Sequence, residues 1–351
     1  MKNKKEIQEK PLAYLDHNVL DLFTEPKNLL SRDSDLFQIL KNDVQAVYSP
    51  ITLEEIYRSV VKGKSSVYGL AFLEVLGALD AHYIELTTDK NGILSNTILR
   101  SWESPLTHFN RYVENNYLNK HIDSLKKNMF ALYGGVKDFN MFEKEQIENL
   151  NNLLFFLEES LMNLENSEYK DDYILSEIEK YKVEIPKLRS RQKQYEESVS
   201  SSRQHLEELN KEKYAHLNFR DKLNINIDNL KKIQPPNVLH QIWRLLKENN
   251  LELESVEMDD FFQLKQKRIN SENEYYVFEK VNQIYTMLNL IGFYSDSGLH
   301  KEKRFIASFS DMSHASYACF CEYLFTRDED FSNKTQVAYE YLGVTTKIYL
   351  I

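Results

Sequence analysis

At 351 residues, with a net charge of −10 and a pI near 5.5, the chain has room for two or three domains and is too acidic for a simple nucleic-acid coat protein. Acidity leaves a nuclease open, since metal-binding carboxylates add negative charge and a basic groove can be local. A hydrophobic share of 42% excludes wholesale disorder, and seven prolines with nine glycines point to long helices rather than many short strands.

The first element is the short apolar run that opens AYLDHNVLDLF (13–23), the length of a buried strand, which stops abruptly at Asp16-His17-Asn18. LFQILKN (36–42) reads as a short helix and VQAVYS (44–49) as a second strand. Pro50 then opens a helix, PITLEEIYRSVVKG, at a position where its missing N–H does no harm. SSVYGLAFLEVLGALDA continues as an apolar helix and HYIELTT (82–88) as a third strand. Alternating strands and helices in this way predict a parallel α/β sheet over 11–95.

From about Leu99 to Met287 almost no strand signal appears, and 96–274 reads as a helical insertion. Ile147, Leu150, Leu154, Leu157, Leu161 and Leu164 step by three and four, a heptad seam. After NSEYKDD a second seam follows through Ile174, Ile178, Tyr181, Ile185 and Leu188. The reading is a coiled-coil-like hairpin over about 141–232, with Pro186 expected to kink or break its second helix. Such a hairpin offers a surface for a homodimer or a regulatory partner, although an ordinary packed bundle fits the same spacing. KLRSRQKQ (187–194) is the densest basic cluster there, more simply a solvated helical face than an RNA contact. IQPPN (233–237) breaks the pattern.

The segment 275–351 returns to mixed structure. NEYYVFEKVNQIYTMLNLIGFYSDSG is helical with a glycine stop, DMSHASYACFCEYLFTRDEDF is a helix leading into a strand, and VTTKIYLI is a β-branched closing strand. The two mixed segments are expected to be halves of one sheet.

Asp16 ends a buried strand, where an isolated charge is very costly and needs company. Glu54 or Glu55 follows the second strand in the first turn of its helix, Asp311 opens a late helix, and Asp328 follows the Leu324-Phe325 strand. Parallel sheets gather their sites outside the carboxyl ends of the strands, so these acids should converge. A group of four carboxylates there calls for a cation, and hard oxygen donors select Mg2+ or Mn2+.

YLDHN, SPITLEEI, DMSHASYA and FTRDEDF, in that order, resemble the PIN-domain nucleases, over about 11–90 and 275–351. The resemblance implies a PIN-like parallel sheet flanked by helices and split by the long all-α insertion. It places the metal-binding acids on Asp16, Glu55, Asp311 and Asp328, with Glu55 in the family's glutamate slot. The activity it implies is a metal-dependent endonuclease that cleaves RNA, with DNA as the alternative substrate, in the setting of a bacterial toxin or phage-defence effector. A non-catalytic scaffold whose insertion binds a partner is the competing reading. His17 stands where the family carries a small Thr or Ser, and some two hundred residues intervene before Asp311.

Around the four acids, Asp330 reads as an auxiliary metal ligand or a turn residue, and Asn18 and Thr326 as residues that orient the carboxylates. Arg58, Lys62, Lys64, Arg304, Arg327 and Lys334 would form a positive rim for phosphate. His314, one turn after Asp311, reads as a satisfied, partly buried histidine. Cys319 and Cys321 lack a second pair at zinc spacing and read as core thiols of a reduced, cytoplasmic protein. The charged N-terminal stretch MKNKKEIQEKP has no signal-peptide core, and no apolar run reaches the ~18 residues that span a bilayer.

Overall fold

A computed structural model describes residues 10–24, 30–61, 66–88, 94–114, 126–268 and 273–351, in two compact units. The first draws on Met1–Asn115, Phe219–Ser297 and Ile306–Ile351, and the second on Asn116–Asn218 and Gly298–Phe305.

The first unit holds a six-stranded sheet of β1 (Leu12–Leu15), β2 (Gln45–Tyr48), β3 (His82–Thr88), β4 (Leu94–Ser101), β5 (Tyr323–Thr326) and β6 (Lys347–Leu350). Their spatial order is β4-β3-β2-β1-β5-β6, parallel except for β4, which pairs antiparallel with β3. The sheet is therefore mixed, a correction to the all-parallel sheet that the sequence suggests. The flanking helices of the N-terminal part are α1 (Asp35–Asn42), α2 (Pro50–Val61), α3 (Ser66–Ala78) and α4 (Pro105–Glu114). In the second unit, α5 (Phe139–Glu165) and α6 (Asp172–Leu209) form the helical pair. The chain continues through α7 (Ala215–Lys222), α8 (Val238–Asn249), α9 (Val277–Ile291), α10 (Glu302–Ala318) and α11 (Glu329–Leu342).

Each central strand is short and apolar because both of its faces are covered. Ala13 and Leu15 of β1, Ala46 and Tyr48 of β2, and Phe325 of β5 join one buried cluster with α1, α2 and α3. Tyr14, Val47 and Leu324 point the other way, into a cluster with α8, α9 and α11. That split follows from the two-residue period of a strand. Burial of a Leu or Val side chain is worth roughly 1.5–3 kcal/mol, so a one-residue slip would be penalised on both faces. The second cluster also takes in Leu223, Leu230, Leu239, Ile242 and Phe262, so much of 219–274 packs with the sheet.

β4 escapes sequence inspection because it is an edge strand with mostly exposed or half-exposed positions. It carries polar residues where a buried strand would carry apolar ones, and Thr87 of β3 bonds the hydroxyls of Ser95 and Thr97 across the pair.

In the second unit, α5 and α6 run antiparallel, with Lys182 bonded to Glu165, Arg189 to Glu158 and Arg203 to Glu143. Leu154, Ile178 and Ile185 of the predicted seams are buried. α6 continues through Pro186, which corrects the expectation of a break there. A proline there removes one helical hydrogen bond and costs about 3 kcal/mol, which a helix of 38 residues packed along a partner can absorb. Within 187–194, Arg189 and Lys187 are tied to Glu158 and Glu184, as on a solvated face.

α11 ends at Gly343, whose φ of +68° is left-handed, and Val344 N donates to Tyr339 O at 2.9 Å. A Cβ at Gly343 would meet nothing within 4 Å, so only the backbone penalty remains. Gly343→Ala is expected to lower stability by about 1 kcal/mol in urea denaturation, since left-handed backbone costs an L-residue roughly 1–2 kcal/mol.

Candidate functional site

Chain order reverses at β1: β2 and β3 lie on one side of it, and β5 and β6 on the other. A doubly wound sheet opens a crevice at such a point, beyond the carboxyl ends of the strands. Asp16 and Thr326 stand there side by side, because Leu15 is in register with Phe325 and Asp16 N donates to Phe325 O at 3.1 Å.

Asp16 is 2% exposed. It holds the cap position of the single turn His17–Leu20, yet its carboxylate makes no cap hydrogen bond. Oδ2 instead accepts from Thr326 Oγ1 at 2.8 Å and from Asn18 Nδ2 at 3.3 Å, both neutral donors. Burial, opposed by His314 and reinforced by Glu55, raises the Asp16 carboxyl above its ordinary value. Thr326 Oγ1 also accepts from Asp328 N at 3.1 Å, and Asp328 caps α11 through Phe331 N at 2.8 Å.

Glu55 falls in the second turn of α2 rather than the first, because the helix starts at Pro50 itself. Its Oε2 lies 3.0 Å from His314 Nε2, and its Oε1 lies 3.6 Å from Arg58. Burial works against the Glu55 charge, but His314, His17 and Arg58 outweigh it and hold the carboxyl down at about 2. His314 is fully buried and shares its other nitrogen with Tyr14 Oη at 2.7 Å, which in turn meets Ser49 Oγ at 2.6 Å. Burial disfavours the His314 cation, yet Glu55 and Asp16 prevail and raise its basicity. His17 stacks on Phe72 with centroids 4.1 Å apart, and burial makes it less basic.

Asp311 lies inside α10, nine residues after the helix starts at Glu302, which corrects its expected place at a helix opening. Its carboxylate has no hydrogen-bond or ion-pair partner among the described residues. Burial, then Asp16, Asp296, Glu55 and Asp328, push it well above the usual carboxylate range. All four sequence-derived acids therefore act on one neighbourhood of the first unit. The nearby Tyr285 hydroxyl is buried without a partner, and Asp311, Asp296, Asp328 and Asp16 all raise it on top of its desolvation.

Asp296 is the acid that sequence reading missed. Its Oδ2 accepts from Ser308 Oγ and from Asn289 Nδ2 at 3.2 Å, and its Oδ1 lies 2.8 Å from Lys334 Nζ. Lys334, grouped by sequence with the phosphate-binding cations, is wholly buried and bonds Tyr294 O and Asn289 Oδ1 as well. Arg58 is likewise engaged, donating to Ser310 Oγ at 2.6 Å. Arg327 is exposed, and so is Asp330, whose carboxyl is raised by desolvation and by Asp328 and Asp296 against Lys334. Arg304 belongs to the second unit, and Lys62 and Lys64 lie outside the described residues. Cys319 and Cys321 are half-buried and buried thiols pushed up by burial.

Among the described residues, no three His, Cys, Asp or Glu side chains converge closely enough to hold an ion as a ready-made cage. The donor chemistry nevertheless suits a hard cation, and Mg2+ keeps several waters while taking only one or two carboxylates from the protein. Asp16 is held by neutral donors and Asp311 has no partner among the described residues, which leaves these two as the carboxylates that could serve such an ion. No helix among the described residues is long and apolar enough to cross a membrane.

Comparison with protein-family models, with curated proteins and with solved structures found no match to this chain.

Proposed function

We propose that the chain is a PIN-like, metal-dependent endonuclease that cleaves RNA in the cytoplasm. The observation that carries this reading is the meeting of Asp16, Glu55, Asp311 and Asp328 in one electrostatic neighbourhood, although 295 residues separate the first from the third. A structural role does not explain it: the Asp16 carboxylate declines the cap position it occupies, and Asp311 has no bonding partner among the described residues. The two mixed segments share one sheet, with β1 between β2 and β5, which supports reading them as halves of one domain.

In this reading Asp16 and Asp311 hold Mg2+ or Mn2+, with Asp328 beside them. The cation supplies charge neutralisation at the phosphate and a nucleophilic water at neutral pH. Thr326 and Asn18 fix the Asp16 rotamer from below. Glu55 stays ionised through His314, His17 and Arg58, and exposed Arg327 would meet the phosphate backbone. The scaffold reading keeps one observation in its favour, the absence of a three-acid cage among the described residues.

Incubation of the purified chain with labelled RNA and Mn2+ separates the two. Cleavage should stop with a chelator and fall by more than about 100-fold in Asp16→Asn and Asp311→Asn, beyond the 10–100-fold typical of losing an outer-shell partner. Cleavage that ignores the chelator, or survives undiminished in both variants, removes the enzyme reading. DNA substrates in the same assay decide between the two nucleic acids.

A further inference from the structure

The second unit contains a short basic segment, His300-Lys301-Glu302-Lys303-Arg304, whose last three residues open α10. Lys301, Lys303 and Arg304 are exposed, and their side chains have no ion pair or hydrogen bond among the described residues. The cations of the helical pair are spent differently. Lys182, Arg189 and Arg203 bridge α5 and α6, and Lys180, Lys187 and Lys193 pair with acids one turn away on α6. An aromatic stack fixes where the unspent charges stand. The His300 ring stacks on Tyr214 with centroids 5.6 Å apart, and Lys137 Nζ lies 4.8 Å from the centroid of the same Tyr214 ring. Phe305, buried against Phe130 and Tyr133, anchors the other end of the segment. A Cβ at Gly298 would lie 3.7 Å from Arg304 Cγ and 3.9 Å from Lys301 Cδ, so these two side chains leave one spot together. We infer that this face of the second unit binds the phosphodiester backbone of a single RNA strand, through Lys137, Lys301, Lys303 and Arg304. This rests on RNA as the substrate in the reading above and adds a binding surface that uses none of the four acids.

Charge complementarity selects the occupant. In a chain of net charge −10, cations held apart from acids leave a local positive field that an anion satisfies. The acids nearest in sequence do not cancel it. Glu302 stands in the first turn of α10, where the amino end of a helix already favours a carboxylate. Asp138, next to Lys137, is committed to capping α5 through Met141 N at 2.9 Å. A single nucleic-acid strand supplies a run of phosphates for the cations and flat bases for rings. His300 suits the second demand: its ring is half-buried on Tyr214, and its nitrogens have no hydrogen-bond partner among the described residues. An acidic peptide would use the cations and leave the ring idle. Phosphate contacts carry no sequence information, so the surface holds a strand in place without choosing its bases.

The test is binding of a fluorescein-labelled oligouridine by the full chain, read by anisotropy in the presence of chelator and needing no activity. The native chain should bind with an affinity that falls steeply between about 50 and 200 mM salt. Lys301→Gln/Lys303→Gln/Arg304→Gln should weaken binding about 10-fold or more at the lower salt. It should also flatten the slope of log affinity against log salt by about 2, the sum of three single-strand phosphate contacts at roughly 0.7 each. Lys180→Gln/Lys187→Gln/Lys193→Gln removes as many charges, but from lysines already paired with acids, and should bind as the native chain does. Equal losses in the two variants, or no loss in the first, overturn the inference and leave the nuclease reading standing. A native chain that binds no RNA overturns it, as does one that binds phosphatidylserine vesicles in place of RNA. Binding that depends on the first set of cations, in a chain that cleaves nothing, supports the inference and removes the nuclease reading instead.

Discussion

Replacing Lys334 by methionine is expected to destabilise the sheet-bearing unit by about 3–5 kcal/mol, the range for breaking a buried ion pair from one side. The reason lies in what remains. Methionine fills most of the aliphatic volume of lysine, so little packing is lost, but the Asp296 carboxylate keeps only Ser308 and Asn289 as donors. Asn289 Oδ1 and Tyr294 O lose a donor at the same time. The Asp296 side chain retains 19% exposure, which places the effect toward the lower end of the range. Asp296→Asn in the same chain removes the stranded charge and should recover much of the loss in a chemical-denaturation cycle. A Lys334→Met loss below about 1 kcal/mol, a typical surface-pair figure, would mean that the pair is not what anchors 289–296 against α11.

The parts of this molecule that could be read from sequence are those whose cause is local. β1, β2 and β5 announce themselves as apolar runs because each is buried on both faces, and Asp16 stands out because it interrupts such a run. β4 is held by backbone pairing and hydroxyl contacts on an edge, so its composition resembles a loop. Asp311 looks like a helix opener because Asp often caps helices, but α10 has already begun at Glu302, after the left-handed Gly298. The pairings of the second tier, and Asp296 itself, are not legible in the sequence. Asp296 and Lys334 are 38 residues apart, and Glu55 and His314 are 259 apart. Their partnership exists only once the two ends of the chain share a sheet. Lys334 reads as a phosphate-binding cation until burial shows that it is an internal one.

The metal-free chain is expected to be more stable as Asp311→Asn than as the native sequence at pH 7, by about 1–2 kcal/mol, the usual return on relieving strain at a functional site. A carboxyl raised in the folded state holds protons there that the unfolded chain has already released. Folding then takes up protons, and stability falls as pH rises from the ordinary value of 3.8 through the raised one. His314, also raised, adds a loss in the same direction above 6.5. Glu55 acts oppositely, giving stability that is complete above 4.5 and is lost as pH falls toward about 2. His17, made less basic by burial, also favours folding as pH rises to 6.5. Subtracting the variant's pH profile from the native one isolates Asp311 and its repulsion with Asp16. The gap should be widest near neutrality, roughly 2–8 °C in melting temperature, and close below 3.8, where the carboxyl is protonated in both states. Mn2+ should then reverse the order. A cation at one hundred times its dissociation constant stabilises the native chain by about 2.7 kcal/mol, while Asp311→Asn gains little because it has lost a ligand. If instead the metal-free variant melts below the native chain at pH 7, the acids do not repel one another, and the case for a shared cation fails with them.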